Sequence, residues 1–275
     1  MASIASGGWV LDTAVRITDP GSRPTAWQAT TIRARTPTRR AATPSMDVDA
    51  GGEAGKEGVM ILSADAETLW GAATGLARAA AGVSRDAERP ALLFFTDPLR
   101  TPEPWLTAAA LPRGAAVVYR SFGAADARSV AERLRRMTAE RGVRLLIGLD
   151  ADLAEAVGAD GVHLPERALD RADDLRRRHP GWQVTGAVHS APALSRARAL
   201  SAAVLSPVFA AGGTSAHRSA LGVAALAAAV RAAPVPVYAL GGINAANADT
   251  LRGSGACGLA GVASIQAAFG HAVRI

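Results

Sequence analysis

A single lysine and a single cysteine among 275 residues are the scarcest reactive groups of this chain. Cys257 cannot close an internal disulfide, and one thiol is too few for a structural zinc site, so a reducing cytoplasm fits best. Lys56 stands alone against 29 arginines, and no lysine follows it. Schiff-base catalysis needs a desolvated lysine amine, so a folded domain that begins after Lys56 excludes aldolase-type chemistry. No run of 18 or more apolar residues free of charge occurs, which argues against a membrane-spanning helix. No apolar core of 7–15 residues follows the start, as a secretory signal would require.

What is present is enough for a folded domain. Hydrophobic residues make up 49% of the chain and charged residues 20%, which supports a sizeable core and excludes disorder of the whole chain. The net charge is +6 and the sequence pI about 10.7, values that invite a nucleic-acid partner. Yet residues 1–45 hold six arginines and two acids, Asp12 and Asp19, and so carry +4 of that charge. The remainder is nearly balanced, and no nucleic-acid binding is expected of the folded part. GC-rich coding alone accounts for a surplus of arginine over lysine. Residues 1–60 show no helical or strand period and are expected to be a disordered extension, or to precede a natural start at Met46 or Met60; an organelle transit peptide also fits their composition.

From Ser63 the texture changes. Residues 64–82 read as a helix with Leu69, Trp70 and Leu76 on one side. Short apolar runs then recur at 91–96, 115–119, 144–149, 161–164, 183–188, 202–209, 235–240 and 258–263. Amphipathic helical stretches lie between them at 124–141, 151–157, 167–178, 191–200, 223–232 and 245–252, with a last one from Ser264. Only the first connection, Pro98–Pro112, is interrupted by proline. Continuous apolar runs mark strands buried on both faces, and strand–helix alternation marks parallel pairing. Eight such units predict an α/β fold, a single (β/α)8 TIM barrel over residues 61–275 with an extra N-terminal helix. The first strand ends Phe-Phe-Thr-Asp-Pro rather than in a Gly-x-Gly-x-x-Gly loop, which disfavours an open doubly wound sheet.

In such a barrel the functional residues sit where strands end. Strand 7 ends at Gly241-Gly242 and strand 8 runs through Gly261 into Ala263-Ser264 at a helix start. Glycine lets backbone N–H groups approach an oxyanion, and a helix N-terminus adds donors, so Gly241, Gly242, Ala263 and Ser264 are predicted to bind a phosphate monoester. A tight turn is the bland alternative for the Gly-Gly pair. His189, at the mouth of strand 5, is a candidate proton carrier or a helix cap, whereas His163 reads as a core residue. Asp97, Asp150 and Glu166 at strand ends are either magnesium ligands or helix N-caps. Arg120, ending strand 2, is either a carboxylate anchor or one half of an ion pair. Cys257 reads as filler.

Five segments in order resemble the thiamine phosphate synthase/TenI superfamily of phosphate-binding barrels: Ala-Val-Gly-Ala-Asp-Gly-Val-His-Leu (156–164), Ser-Pro-Val-Phe (206–209), Ala-Leu-Gly (220–222), Leu-Gly-Gly-Ile (240–243) and Gly-Val-Ala-Ser-Ile (261–265). The resemblance covers about two-thirds of the chain, from Ala91 to Phe269. For the synthase branch, which couples a pyrimidine pyrophosphate to a thiazole phosphate, it implies a Gln-x-Arg-x-Lys set after strand 2, an Asn-Asp pair after strand 3, an aspartate after strand 4, a serine near the strand-5 histidine and a lysine in the strand-6 loop. The matching positions are Val118, Arg120 and Phe122; Leu149 and Asp150; Ala168; Ala187; and Thr214-Ser215, so that only Arg120 and Asp150 agree.

For the TenI branch, a thiazole tautomerase, the resemblance implies a histidine in a Ser-Val-His-Ser setting. Ala187-Val188-His189-Ser190 is similar to it, as is Val-His-Leu-Pro (162–165) to the TenI form. The expectation is therefore a cytoplasmic tautomerase of thiamine biosynthesis, an isomerase in which His189 moves the proton, Arg120 orients the substrate carboxylate and no cofactor is required. Its partner is a small-molecule thiazole phosphate, with no nucleic acid and no membrane, and a homodimer is left open. The alternatives are a thiamine phosphate synthase using Mg2+, with Asp150 as candidate ligand, and a non-catalytic regulatory barrel that binds a phosphate.

Overall fold

The eight apolar runs become eight parallel strands in the computed structural model, which describes residues 60–81, 89–212, 217–270 and 273–274. They are β1 (Leu92–Phe95), β2 (Ala115–Tyr119), β3 (Arg144–Gly148), β4 (Gly161–Leu164), β5 (Gln183–Val188), β6 (Ala202–Leu205), β7 (Val237–Leu240) and β8 (Leu259–Gly261). Each pairs with the next, and β8 returns to β1, with Leu92 opposite Leu259 and Phe94 opposite Gly261, so the barrel closes. The expectation for residues 1–59, and with it the question of the start, lies outside the described residues.

Strand alternation divides the core in two. Leu93, Phe95, Val118, Leu146, Val204 and Tyr238 fill the barrel, while Leu92, Phe94, Val117, Leu145, Val162 and Leu205 pack outward against the helices. Both sets are buried, which is why the strands read as unbroken apolar runs rather than as alternation. Cys257 belongs to the inner set, and burial pushes its thiol up to about 12. It is filler, as expected.

The helices are α1 (Ala64–Ala81), α2 (Pro104–Ala110), α3 (Ala127–Arg141), α4 (Ala151–Ala156), α5 (Ala172–Arg178), α6 (Ala191–Ser195), α7 (Gly222–Ala232) and α8 (Ala263–Phe269). The proline-interrupted first connection does hold a helix, because Pro104 occupies a first-turn position where its missing N–H is not needed. The stretch predicted as a helix at 245–252 is instead one 3-10 turn, Ala248–Leu251. Helix α1 packs against that turn, against α8 and against β8 and β1. It thus supplies the apolar cover that the short β7–β8 connection does not.

The seating of α1 starts at Ser63. Its hydroxyl accepts from the Ala66 amide (3.1 Å) and donates to the Ala268 carbonyl (2.9 Å), capping one helix while tying it to another. Leu69 and Leu76 are buried as predicted, while Trp70 is only half-buried. Just before α1, Met60 and Ile61 pair antiparallel with Arg274 and Val273.

Candidate active site

The C-terminal ends of β7 and β8 form one wall of a cavity of about 310 Å³. Gly241 (φ 103°) and Gly242 (φ 64°) turn the chain there in the left-handed region that favours glycine. A Cβ on Gly241 would lie 2.7 Å from the Pro207 Cα, and one on Gly242 would run into the Ala210 carbonyl and the Phe209 side chain. The carbonyls of Leu240 and Gly241 accept from Val208 (2.9 Å) and Phe209 (3.0 Å), and that of Gly242 accepts from the Asn247 amide side chain (2.9 Å). With its oxygens occupied, the turn meets a ligand through its N–H groups. Ala263 and Ser264 open α8 on the same cavity, where first-turn amides have no intrahelical acceptor. All four residues predicted for phosphate binding are thus brought together.

Two arginines face this wall. Arg120 and Arg100 both line the cavity. Arg120 is fixed by three kinds of contact: its Nε donates to the Thr96 carbonyl (2.7 Å), its own amide donates to Thr96 Oγ1 (2.9 Å), and its guanidinium lies over the rings of Phe95 (5.6 Å) and Phe122 (5.1 Å). Its Nη2 stands 3.6 Å from Asp97 Oδ2 and is buried without a hydrogen-bond partner among the described residues. Burial lowers the Arg120 pKa, opposed by the nearby Asp97. Asp97 is taken up elsewhere: Oδ2 accepts from Arg100 Nη2 (2.9 Å), and Oδ1 accepts from the amides of Leu99 (3.2 Å) and Arg100 (3.1 Å). The Arg100 hydrogen bond leads in holding this carboxyl below its ordinary range, against the opposing effect of burial. Arg100 was missed in the sequence; its signal was its place three residues after Asp97 in a strand-end loop.

His189 is half-buried and lines a different cleft, together with Pro165, Glu166, Arg167, Arg196 and Arg218. Its Nδ1 lies 3.0 Å from the Ser206 carbonyl and 3.1 Å from the Ser206 hydroxyl, and its amide donates to Glu166 Oε2 (2.8 Å). The carbonyl can only accept, so Nδ1 carries a proton and Nε2 is left as the basic nitrogen of the neutral ring. His163 is a core residue, as expected. Its Nδ1 meets Thr185 Oγ1 at 3.0 Å, its ring stands edge-on to Phe95, and burial lowers its pKa to about 3, so it stays neutral.

The synthase branch implies a magnesium ion, for which Asp97 and Asp150 are the candidate ligands at strand ends. Asp150 Oδ1 accepts from the Leu153 amide (2.9 Å) as the N-cap of α4, and Asp97 is bound to Arg100. Among the described residues, no group of three or more His, Cys, Asp or Glu side chains is placed to hold a metal ion. This donor set does not fit a cation held by converging carboxylates. No helix among the described residues is long and apolar enough to cross a membrane.

Comparison with known proteins bears on the choice between the two branches. A thiamine-phosphate synthase of Methanoculleus marisnigri is 35% identical over 142 residues, which cover 51% of this chain and 67% of the relative. That of Chloroflexus aurantiacus is 34% identical over 166 residues, covering 58% and 76%. Among solved structures, a thiamine phosphate pyrophosphorylase from Pyrococcus furiosus superposes with a TM-score of 0.57 at 23% identity, over 68% of this chain and 95% of the other, a likeness of fold. The curated relatives are named as synthases and nothing singles out the TenI branch, so the expectation of a tautomerase, and of an isomerase, is overturned in favour of the synthase alternative. That expectation treated missing lysines as missing cations, whereas Arg100 stands beside Arg120 at the cavity. The model of the family described as thiamine monophosphate synthase matches residues 93–267, from β1 into α8; because that span takes in all eight strands, the chain belongs to this family.

Proposed function

We propose that the protein is a thiamine-phosphate synthase that joins a hydroxymethylpyrimidine diphosphate to a thiazole phosphate. The observation that carries this reading is the cavity lined by Gly241, Gly242, Ala263 and Ser264 together with Arg100 and Arg120. The likeness to curated synthases supports it. The thiazole phosphate sits on the amides of the β7 turn and the α8 start, where backbone donors and the helix dipole favour an oxyanion.

In the coupling step the ring nitrogen of the thiazole forms a bond to the methylene carbon of the pyrimidine. The C–O bond to the diphosphate breaks, and its electron pair leaves with the diphosphate. Charge grows on the leaving group, and fixed cations in a site sheltered from water lower that barrier. Arg120 suits this role because its buried Nη2 has no hydrogen-bond partner among the described residues and so has a donor to give. Arg100, tethered by Asp97, adds a second positive charge. No proton moves in this step, so His189 is not required as a shuttle. The substrates are small molecules; neither nucleic acid nor membrane takes part.

The test is incubation of the full chain with both substrates, with magnesium chloride added and withheld. Thiamine phosphate and pyrophosphate formed in equal amounts are the expected products. No product above the enzyme-free control under either condition overturns the proposal. A Ser264→Glu variant, which places a carboxylate in the phosphate cup, is expected to raise the KM for thiazole phosphate at least about ten-fold by like-charge repulsion.

A further inference from the structure

The cleft that holds His189 carries unbalanced positive charge. Its six lining residues include three arginines, Arg167, Arg196 and Arg218, and one acid, Glu166. That acid is occupied, because Oε2 accepts from the His189 amide. None of the three guanidiniums has a carboxylate partner among the described residues; Arg196 reaches only the Glu166 carbonyl, at 3.5 Å. Elsewhere on the barrel arginines do find acids, as in Arg128–Glu132, Arg135–Asp160, Arg178–Asp174 and Arg252–Asp249.

Three separate segments contribute these charges: the 3-10 turn after β4 (Glu166–Arg171), the 3-10 turn after α6 (Arg196–Ala199) and the residues before α7. Like charges gathered from three segments repel each other, and an anion bound among them removes that penalty. The guanidinium fork also matches the oxygens of a phosphoryl group in pairs. His189 lines the same side, with its Nδ1 given to the Ser206 carbonyl. The cleft encloses about 360 Å³, room for a phosphoryl or diphosphoryl group.

We propose that the cleft formed by Arg167, His189, Arg196 and Arg218 is a second oxyanion site that takes a phosphoryl group, separate from the cup at the ends of β7 and β8. The inference stands apart from the synthase reading, since it concerns other residues and is tested by binding alone. Its occupant is a free phosphate or pyrophosphate that binds outside the reaction centre.

Calorimetric titration of the full chain with inorganic pyrophosphate and with inorganic phosphate tests the site, using wild type, Arg196→Ala/Arg218→Ala and Ser264→Glu. The expected result is pyrophosphate binding that weakens at least about ten-fold in the double arginine variant and persists in Ser264→Glu. Circular dichroism confirms that each variant is folded, and Arg196→Lys/Arg218→Lys, which keeps the charge, is expected to restore part of the affinity. Wild type that binds neither anion overturns the proposal, as does pyrophosphate binding that Ser264→Glu abolishes and the arginine variants leave intact. In a turnover assay, inhibition by pyrophosphate that is non-competitive with both substrates and lost in the double arginine variant supports the site, whereas competition against the pyrimidine diphosphate places the anion in the reaction centre and opposes it.

Discussion

Arg120 is placed by its neighbours so completely that little freedom is left to it. Thr96 accepts from its Nε, its guanidinium lies over the rings of Phe95 and Phe122, and the buried Nη2 has no hydrogen-bond partner among the described residues. Substitution by lysine preserves charge but removes the planar fork and the stacked faces. Arg120→Lys is therefore expected to fold and to lower kcat/KM for thiamine phosphate formation by about ten- to a hundred-fold, the scale of one or two charged hydrogen bonds; steady-state kinetics on both substrates checks it.

His163 gives a different kind of prediction. Its folded pKa of about 3 lies below the ordinary histidine value of about 6.5. Between these values the unfolded chain takes up a proton that the folded chain refuses. Stability is therefore lost as pH falls from about 6.5 toward 3, at up to about 1.4 kcal/mol per pH unit from this one group. His163→Gln keeps a hydrogen-bonding side chain beside Thr185 but does not titrate. Denaturant melts between pH 7 and pH 4 are expected to show a shallower acid slope for the variant than for wild type.

The residue scale is also where the sequence was least legible. Gly241, Gly242, Ala263 and Ser264 could be found because strand order in a barrel fixes which loops meet. For Asp97 and Asp150 the sequence allows both ligand and cap, and what separates the two is the partner each finds in the fold, the Leu153 amide for Asp150 and Arg100 for Asp97. The misjudged signal was cation type. Lysines were sought at particular positions, while the charge at the barrel mouth comes from Arg100, Arg120, Arg167, Arg196 and Arg218, whose convergence spans more than a hundred residues of sequence.

At the scale of elements, most of the fold follows from local pattern. All eight strands fall within the predicted runs because a strand buried on both faces must be apolar throughout. The predicted helix at 245–252 failed for a tertiary reason, since α1 covers that face and the connection can be short. The local pattern of residues 64–82 fixes the length of α1, but its seat on the barrel depends on contacts with α8 and the β7–β8 connection. If α1 is an integral part of the helical layer, Leu69→Ala is expected to destabilise the whole domain by about 2–5 kcal/mol through the cavity it leaves. Ser63→Ala is expected to cost about 1 kcal/mol as a lost cap. Guanidinium melts followed by tryptophan fluorescence and by circular dichroism check both, and coincident transitions for the two probes would show that α1 and the barrel unfold together.

For the whole molecule, the net charge is divided unevenly along the chain. Residues 1–45 carry +4 of the formal +6. A chain lacking them is expected to elute from a cation-exchange column at markedly lower salt than the full chain, while thiamine phosphate formation proceeds at the same rate. Retention that is unchanged by the deletion would show instead that the barrel mouth, with its unpaired guanidiniums, dominates the external field.

The antiparallel pairing of Met60–Ile61 with Val273–Arg274 brings the two ends of the barrel's chain within one hydrogen-bonded ribbon. A peptide of a few residues suffices to bridge a gap of that size. The order in which the βα units are synthesised is then separable from the order in which they stand around the ring. A permuted gene that joins residue 274 to residue 60 and opens instead between α7 and β7 would encode the same circle of strands, and would make the site residues of β7 and β8 the first to leave the ribosome rather than the last.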